Sequence, residues 1–465
     1  MAITHSNSSV DVETLRHAVR GSVLAPGDEG WDAARTPWNL AFEQHPALIV
    51  VPANSADVQA VVRFATANGL RIAPQGTGHG VGSLGDLSDA VLMRMTELRD
   101  VEIDVEARQA RAGAGVIWED VVNPAAEHGL VALHGSSPDV GIAGYTLGGG
   151  MGWLARKHGL AANSVTAIEV VTADGEFHRV DHTHGRDLFF ALRGGGGNFG
   201  IVTAIEFKLF PLETVFAGWL IWPWEQSGRV LSAWRDWSET TPDEVTSVGR
   251  MLQLPPLEVI PEFLRGRNLV VVEVAYMGDE ESGRELLAPL LALEPEMSTL
   301  GTMPAAGLVR LHADPEGHTP GVGDGALLDA LPDEAIEALV GAAGPDSGSP
   351  FISVELRQLG GALGRAPEGA GAASHLEGAF QLFSVGLPFT PEMGMAMELH
   401  LDVVADAMRP WKSRQTYFNL AERPVESSTL YNGSTHDRLC EIRARFDPSE
   451  LFRSNHRIRP ADADW

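Results

Sequence analysis

Apolar residues recur at helical spacing at Val58, Val61, Val62 and Phe64, which predicts a helix capped by Ser55 and closed by Gly69. Short apolar runs flank it, Ala47–Val51 stopped by Pro52 and Leu70–Pro74. Strand, helix, strand is the order of an α/β arrangement. A shorter amphipathic helix precedes it at 12–20, and 26–38 reads as a loop. Ala90–Met93, Val101–Asp104 and Gln109–Ala112 read as strands. Val116–His128 has helical spacing, but Pro124 inside it predicts a kink or break. Val165–Val171 and Glu176–Val180 read as a hairpin about Ala173-Asp174-Gly175, and Ile201–Leu209 as a strand ending at Pro211.

Beyond Pro211 the pattern changes. Val215–Trp222, Thr246–Leu254, Leu269–Tyr276, Phe351–Leu359 and Phe380–Leu387 are strand candidates between helical segments, spaced for an antiparallel sheet with helices on one face. Loops near 314–325, 341–350 and 360–373 read as irregular. In the strand F-I-S-V-E-L-R-Q-L, Ile352, Val354 and Leu356 share one face and Ser353, Glu355 and Arg357 the other. That polar face is either solvated or the wall of a site, and period two cannot choose. Arg414–Leu420 reads as a strand, Ser434–Arg445 as a helix and Phe446–Phe452 as a turn, a piece too short to fold alone.

Glycine interrupts this pattern in three blocks. The first is Q-G-T-G-H-G-V-G-S-L-G-D, with Gln75, Gly76, Thr77, Gly78, Gly80 and Val81 wrapped about one histidine, His79. The second runs from His134 to Leu160 and holds V-G-I-A-G-Y-T-L-G-G-G-M-G-W-L. The third is A-L-R-G-G-G-G-N-F-G-I-V-T, Ala191–Thr203. Such loops let backbone pass close to a ligand and aim N–H groups at its phosphates. Three blocks within about 130 residues fit one extended ligand better than three separate flexible loops.

Composition narrows the classes. At 465 residues two or three lobes are expected. A formal net charge of −28 argues against a nucleic-acid partner. A single cysteine, Cys440, excludes an internal disulfide and a cysteine-based metal or iron–sulfur site; no metal is expected. No apolar run is long enough for a membrane span, and M-A-I-T-H-S-N-S-S-V-D lacks the basic and apolar regions of a signal peptide, so the cytoplasm is the expected compartment.

These blocks, with P-A-L-I-V-V-P, E-V-V-T-A-D-G, Y-F-N and R-F-D-P-S-E-L-F in this order, resemble the FAD-linked oxidoreductases of the vanillyl-alcohol oxidase/p-cresol methylhydroxylase superfamily, berberine-bridge-enzyme-like branch. The resemblance covers nearly the whole chain. It implies an α+β, two-lobed PCMH-type FAD-binding fold with a second antiparallel-sheet substrate domain covered by helices. The expected division is 1–212 for FAD, 213–412 for substrate, and 413–465 returning to the first domain. His79 would carry FAD through a bond from its ring to the 8α-methyl. Gln75 to Val81, Ser137, Val140, Gly141, Ile142, Gly144, Tyr145, Gly148, Gly149, Gly150, Gly152, Trp153, Gly200, Ile201, Val202, Tyr417 and Asn419 would line the cofactor.

The departures also speak. A second, cysteinyl tether in the family falls where this chain has Ser137, so a single covalent link is expected. The tyrosine base of sugar-oxidising members falls on Leu420, which cannot take a proton. Ile142 falls where the family gates oxygen, leaving oxidase or dehydrogenase open, with O2 a candidate acceptor. The expected activity is oxidation of a small alcohol, phenol or secondary metabolite by hydride transfer to flavin, with Glu355 or Tyr417 as base. A carbohydrate or aldonolactone oxidase is the alternative. Glu355 would need its pKa raised by burial, or to act as carboxylate, and Arg357 would oppose that rise if it pointed the same way; Tyr417 would need its phenol pKa lowered from about 10. Oligomeric state is not legible.

Overall fold

The structure, a computed structural model, describes residues 11–258, 260 and 262–461. Helix Ser55–Asn68 forms as its pattern predicts, with Gly69 at φ 65° closing it. Its N-cap is Asn54 rather than Ser55, because the Asn54 side chain accepts from the Asp57 N–H three residues on. The buried face of Val58, Val61, Val62 and Ala65 packs on a four-stranded sheet, ordered Ser22–Leu24, Leu48–Val51, Ala90–Arg94, Arg71–Gln75. The last three strands are parallel. The 76–81 loop therefore leaves the carboxyl end of a parallel strand, where open α/β sheets place ligands.

A five-stranded antiparallel sheet follows, ordered Val101–Asp104, Gln109–Gly113, Ile201–Lys208, Val165–Val171, Phe177–Asp181. The larger antiparallel sheet runs Met297–Ser298, Thr214–Pro223, Asn268–Tyr276, Val245–Gln253, Ser353–Gln358, Phe380–Gly386, Val322–Leu328. Helices Ser227–Ser238, Asp333–Ala343 and Pro391–Met408 cover one face, burying Trp234, Leu339 and Leu401 against Val272, Leu356 and Leu382. On the other face, Val248, Ala275 and Ala217 pack against Leu133, Trp153 and Leu154 of the N-terminal half. The α+β, two-lobed expectation therefore stands.

The C-terminal residues return to the first sheet. Ile72 N–H donates to Leu451 O, and Arg453 N–H to Ile72 O, each at 2.8 Å. The turn is fixed by fully buried Asp447, which accepts from the N–H groups of Leu451 and Phe452 and pairs with Arg443 at 2.8 Å.

Four local expectations are corrected. Trp31–Arg35 is a short helix within the expected loop. Glu119–Ala126 is helical with Pro124 inside it, shorter than the spacing suggested, and carries buried Val121, Val122 and Ala125. Val322–Leu328 is a strand whose start, V-G-D-G, read as loop; it pairs along its whole length with Phe380–Gly386. The 414–420 segment is not a sheet strand. Phe418–Leu420 forms a 3-10 turn, because Asn419 donates its amide to Tyr145 O at 2.9 Å instead of joining a ladder. Among the described residues no helix is long and apolar enough to cross a membrane.

Candidate active site

His79 sits in a polar cage. A 2.7 Å bond joins its Nδ1 to Thr77 Oγ1, two residues back. Trp38 stacks on the ring, centroids 4.0 Å apart and planes 18° apart. Nε2 lies 3.4 Å from Asp139 Oδ1, without the alignment of a hydrogen bond. Asp139 also accepts from Ser137 Oγ at 2.9 Å, Trp38 Nε1 at 2.7 Å and Gly317 N–H at 2.8 Å. Burial opposes its charge, but His79 and these N–H donors outweigh burial and hold the carboxyl well below its usual range. Ser137, expected near the tether, thus orients the carboxylate beside it. Cys440 lies in the helix Gly433–Phe446, against His436.

The glycines divide by what a Cβ would meet. At Gly148 it would sit 1.8 Å from Asn419 Oδ1, at Gly152 1.8 Å from His134 O, and at Gly200 2.4 Å from Val170. Gly150 adds a φ of 78° and a clash with Tyr145 at 2.4 Å. Packing within the protein accounts for these four. Gly149 has a φ of 117° and packs near Tyr417, and Gly80 O accepts from Asn455. Gly78 needs its φ of 92° to pass Pro37. By contrast, at Gly144 nothing lies within 4 Å, and at Gly76 and Gly141 the nearest atom is 3.7 Å away. These open glycines accompany buried polar atoms that lack partners: Gln75 Nε2, His79 Nε2, Tyr145 Oη, Thr146 Oγ1 and Thr203 Oγ1. Unpaired buried polar groups are costly, so a polar ligand that supplies partners fits here. The residues therefore fit FAD. Val81, Ile142, Ile201 and Val202 are apolar and buried, and Val140 packs beside Ile142 in the core.

The polar face of Ser353–Gln358 turns toward this half of the molecule. Register places Glu355 opposite Arg250 and Phe383, and Arg357 opposite Val248 and Gln381. His312, on the loop after the 3-10 helix Ala305–Arg310, reaches between two carboxylates. Its Nε2 meets Glu355 Oε2 at 2.7 Å and its Nδ1 meets Glu273 Oε2. Arg250 donates Nη1 to Glu273 Oε1 at 2.8 Å and Nε to Ser353 Oγ at 2.9 Å, and Arg357 donates Nε to Glu355 Oε1 at 2.7 Å. His312 and Glu355 are each 2% exposed and Glu273 is fully buried. Burial and Arg250 oppose charge on His312, but Glu273, Asp314 and Glu355 outweigh them and push the imidazole up to about 9. Burial favours the Glu355 acid, but Arg357 and His312 outweigh it and hold the carboxyl well below its usual range. Of the two routes expected for a Glu355 base, the raised pKa is the reverse of what the structure holds, because Arg357 does point the same way; Glu355 stands as a carboxylate bonded at both oxygens.

Tyr417 is buried beside this wall. Asn419 Nδ2 donates to its oxygen at 3.3 Å, and the N–H groups of Gly150 and Met151 are aimed at it. Burial is the largest influence and raises its pKa well above the ordinary phenol value; Arg357 and these donors offset only part of that rise. Arg357 shares a cavity of about 20 Å³, room for one water, with Ser136, Met151, Gly152, Trp153 and Thr246. Trp153 lies 6.2 Å from the His312 ring, centroid to centroid.

Sequence reasoning missed Arg250, Glu273 and His312. The one signal was Glu273, a lone charge inside the apolar run L-V-V-V-E-V-A-Y. A charge there must find a buried partner.

Residues 46–181 match the FAD binding domain family, and residues 416–459 the berberine and berberine-like family. The chain is similar to an uncharacterized FAD-linked oxidoreductase, YvdP, of Bacillus subtilis, with 28% identity over 95% of this chain and 98% of that protein. It is 35% identical to (R)-6-hydroxynicotine oxidase of Paenarthrobacter nicotinovorans over 44% of this chain and 45% of that one. The fold is that of BBE-like 1 of Physcomitrella patens, with a TM-score of 0.85 and 21% identity over 97% and 99% of the two chains. The chain belongs to the FAD-linked oxidoreductases of the vanillyl-alcohol oxidase/p-cresol methylhydroxylase superfamily, in its berberine-bridge-enzyme-like branch.

Proposed function

We propose that this enzyme oxidises a small alcohol, phenol or secondary metabolite, with FAD tethered through His79 alone and Tyr417 as the proton acceptor. The observation that carries the reading is the seam itself. There a buried charged wall, Tyr417 and the open-glycine loops around His79 come together between the two halves of the chain. FAD, when bound, supplies the oxidised ring that accepts a hydride from the substrate.

The chain's own residues do the rest. Thr77 holds the His79 ring at Nδ1, Asp139 stands 3.4 Å from Nε2 without a hydrogen bond, and Trp38 fixes the ring's plane. Ser137 cannot add a thioether, so the tether is single. Tyr417 takes the substrate's O–H or N–H proton. Burial holds the phenol pKa above its ordinary value, and the Asn419 amide, two backbone N–H groups and the charge of Arg357 offset part of that rise and favour the phenolate as the substrate proton moves to it. Glu355 is a fixed anion rather than a base, because His312 and Arg357 each bond one of its oxygens. Leu420 stands where sugar-oxidising members carry their base, which disfavours the carbohydrate reading. Oxygen is a candidate acceptor, its access set at buried Ile142.

The test is anaerobic mixing of the holoenzyme with alcohols, phenols, sugars and polyketide-like compounds, read by loss of flavin absorbance. Reduction by a non-sugar substrate is expected, slowed at least ~100-fold in Tyr417→Phe. Reduction by sugars alone, or an undiminished rate in Tyr417→Phe, overturns the reading.

A further inference from the structure

The geometry points to Arg357 as the anchor for a substrate carboxylate: the enzyme takes a compound with an apolar body and one carboxylate, held end-on by the Arg357 guanidinium beside Tyr417.

In the buried wall, Arg250 pairs with Glu273 at 2.8 Å and His312 with Glu355 at 2.7 Å. Arg357 shares Glu355 with His312, and no carboxylate is bonded to its terminal nitrogens among the described residues. Glu355 accepts only its Nε, at 2.7 Å. Among the described residues, no hydrogen bond to Nη1 or Nη2 is formed. An arginine this enclosed, 17% exposed in its side chain, ordinarily spends its donors on protein. Here the two terminal nitrogens remain as a planar fork, the geometry that matches both oxygens of a carboxylate.

The neighbouring carboxylates do not fill that fork. Both Glu355 oxygens are taken, by His312 and by Arg357 Nε. Asp314 accepts from Ser136 Oγ at 2.9 Å and stands 3.9 Å from His312 Nε2. Its charge adds to the field at Arg357, but no bond joins the two among the described residues.

The surroundings define the remainder of the ligand. Met151, Trp153, Val248 and Leu363 line the Arg357 cavity with apolar and aromatic surface; at about 20 Å³ it takes the carboxylate head alone, and the apolar body lies outside it. Met151 and Leu363 of that cavity pack in one cluster with Tyr417, which sets an anchored carboxylate close to the proton acceptor. The inference rests on the proposed site lying at this seam, and it assigns what that site recognises.

The test is calorimetric titration of the holoenzyme with benzoate, benzamide and phenol at pH 7, with flavin difference absorbance recorded in parallel. Benzoate is expected to bind at least about tenfold more tightly than its isosteric amide and than phenol, and to perturb the flavin bands. Arg357→Met should weaken benzoate about 10- to 100-fold and leave benzamide within about twofold, the worth of a charge-assisted fork. Arg357→Lys, which keeps the charge and can keep the Glu355 pair, should recover only part of that loss. Equal binding of benzoate and benzamide by the wild type overturns the inference without reference to any variant. So does a benzoate affinity unchanged in Arg357→Met. If the flavin reading itself fails, the protein lacks flavin bands while the calorimetric comparison still reports on Arg357.

Discussion

Glu355→Gln removes one charge and almost no volume, so its consequences follow from electrostatics alone. In the wild type the carboxylate lies 2.7 Å from His312 Nε2 and 2.7 Å from Arg357 Nε, and Arg250 Nε stands 3.9 Å away. At 2% exposure, water cannot replace it. Removing one partner of a buried pair costs about 3–5 kcal/mol, because the other charge stays buried and uncompensated. Here part of the cost is relieved, since His312 keeps Glu273 and can shed its proton. We therefore expect a loss near the lower end, about 3 kcal/mol at pH 7. The gap should narrow as pH rises through about 9, where the wild-type imidazolium itself titrates and its attraction to Glu355 ends. Urea denaturation at pH 7 and pH 9.5, followed by tryptophan fluorescence, measures both. With Glu355 as a positioning anion, anaerobic reduction should show weaker substrate binding more than a slower limiting rate. A loss under about 0.5 kcal/mol at pH 7 refutes the buried-pair argument, and a collapse of the limiting rate with binding unchanged restores Glu355 as base.

Three further outcomes follow from the same geometry. The His312 imidazole has a folded pKa of about 9 against an ordinary 6.5, so its charge stabilises the fold by about 3 kcal/mol. That contribution is complete below pH 6.5 and is lost as pH climbs through 9, and His312→Gln should flatten the wild-type stability profile over that window. Gly148→Ala drives a Cβ to 1.8 Å from Asn419 Oδ1, which should cost about 1–3 kcal/mol in denaturation and shift the Tyr417 pH profile by displacing a donor to its oxygen. Ile142→Val removes one methyl from a residue 1% exposed, costing about 0.5–1.5 kcal/mol; stopped-flow reoxidation of reduced enzyme by O2 should accelerate, and an unchanged rate removes Ile142 as the gate.

Local chemistry was legible wherever sequence neighbours decide the structure. The helix 55–68, the hairpin at 165–181 and the strand that presents His79 follow from periodicity and turn residues a few positions apart. The cap fell one residue off because Asn54 and Ser55 are both competent and only the reach to Asp57 N–H separates them. The charged wall is another matter. Arg250, Glu273, His312 and Glu355 come from strands and a loop spread over about a hundred residues; sheet register aligns the three strands, and the loop after Arg310 brings His312 to them. Period two identified the polar face of 353–357 but carries no information about what that face meets. Tyr417 was found, but as part of a strand, because the bond from Asn419 to Tyr145 O that bends the segment joins residues 274 apart. The strand 322–328 was lost behind its glycines, where pairing with 380–386 overrides weak local propensity.

The central claim is that one histidine tethers the cofactor. Acid precipitation of the purified protein, followed by proteolysis and mass spectrometry of the fluorescent fraction, tests it most directly. The account predicts that colour stays with the precipitate, that flavin mass is found on the peptide containing His79, and that His79→Ala releases the flavin into the supernatant. Flavin freed from the wild type by acid, or carried on the peptide containing Ser137 or Cys440, would contradict it.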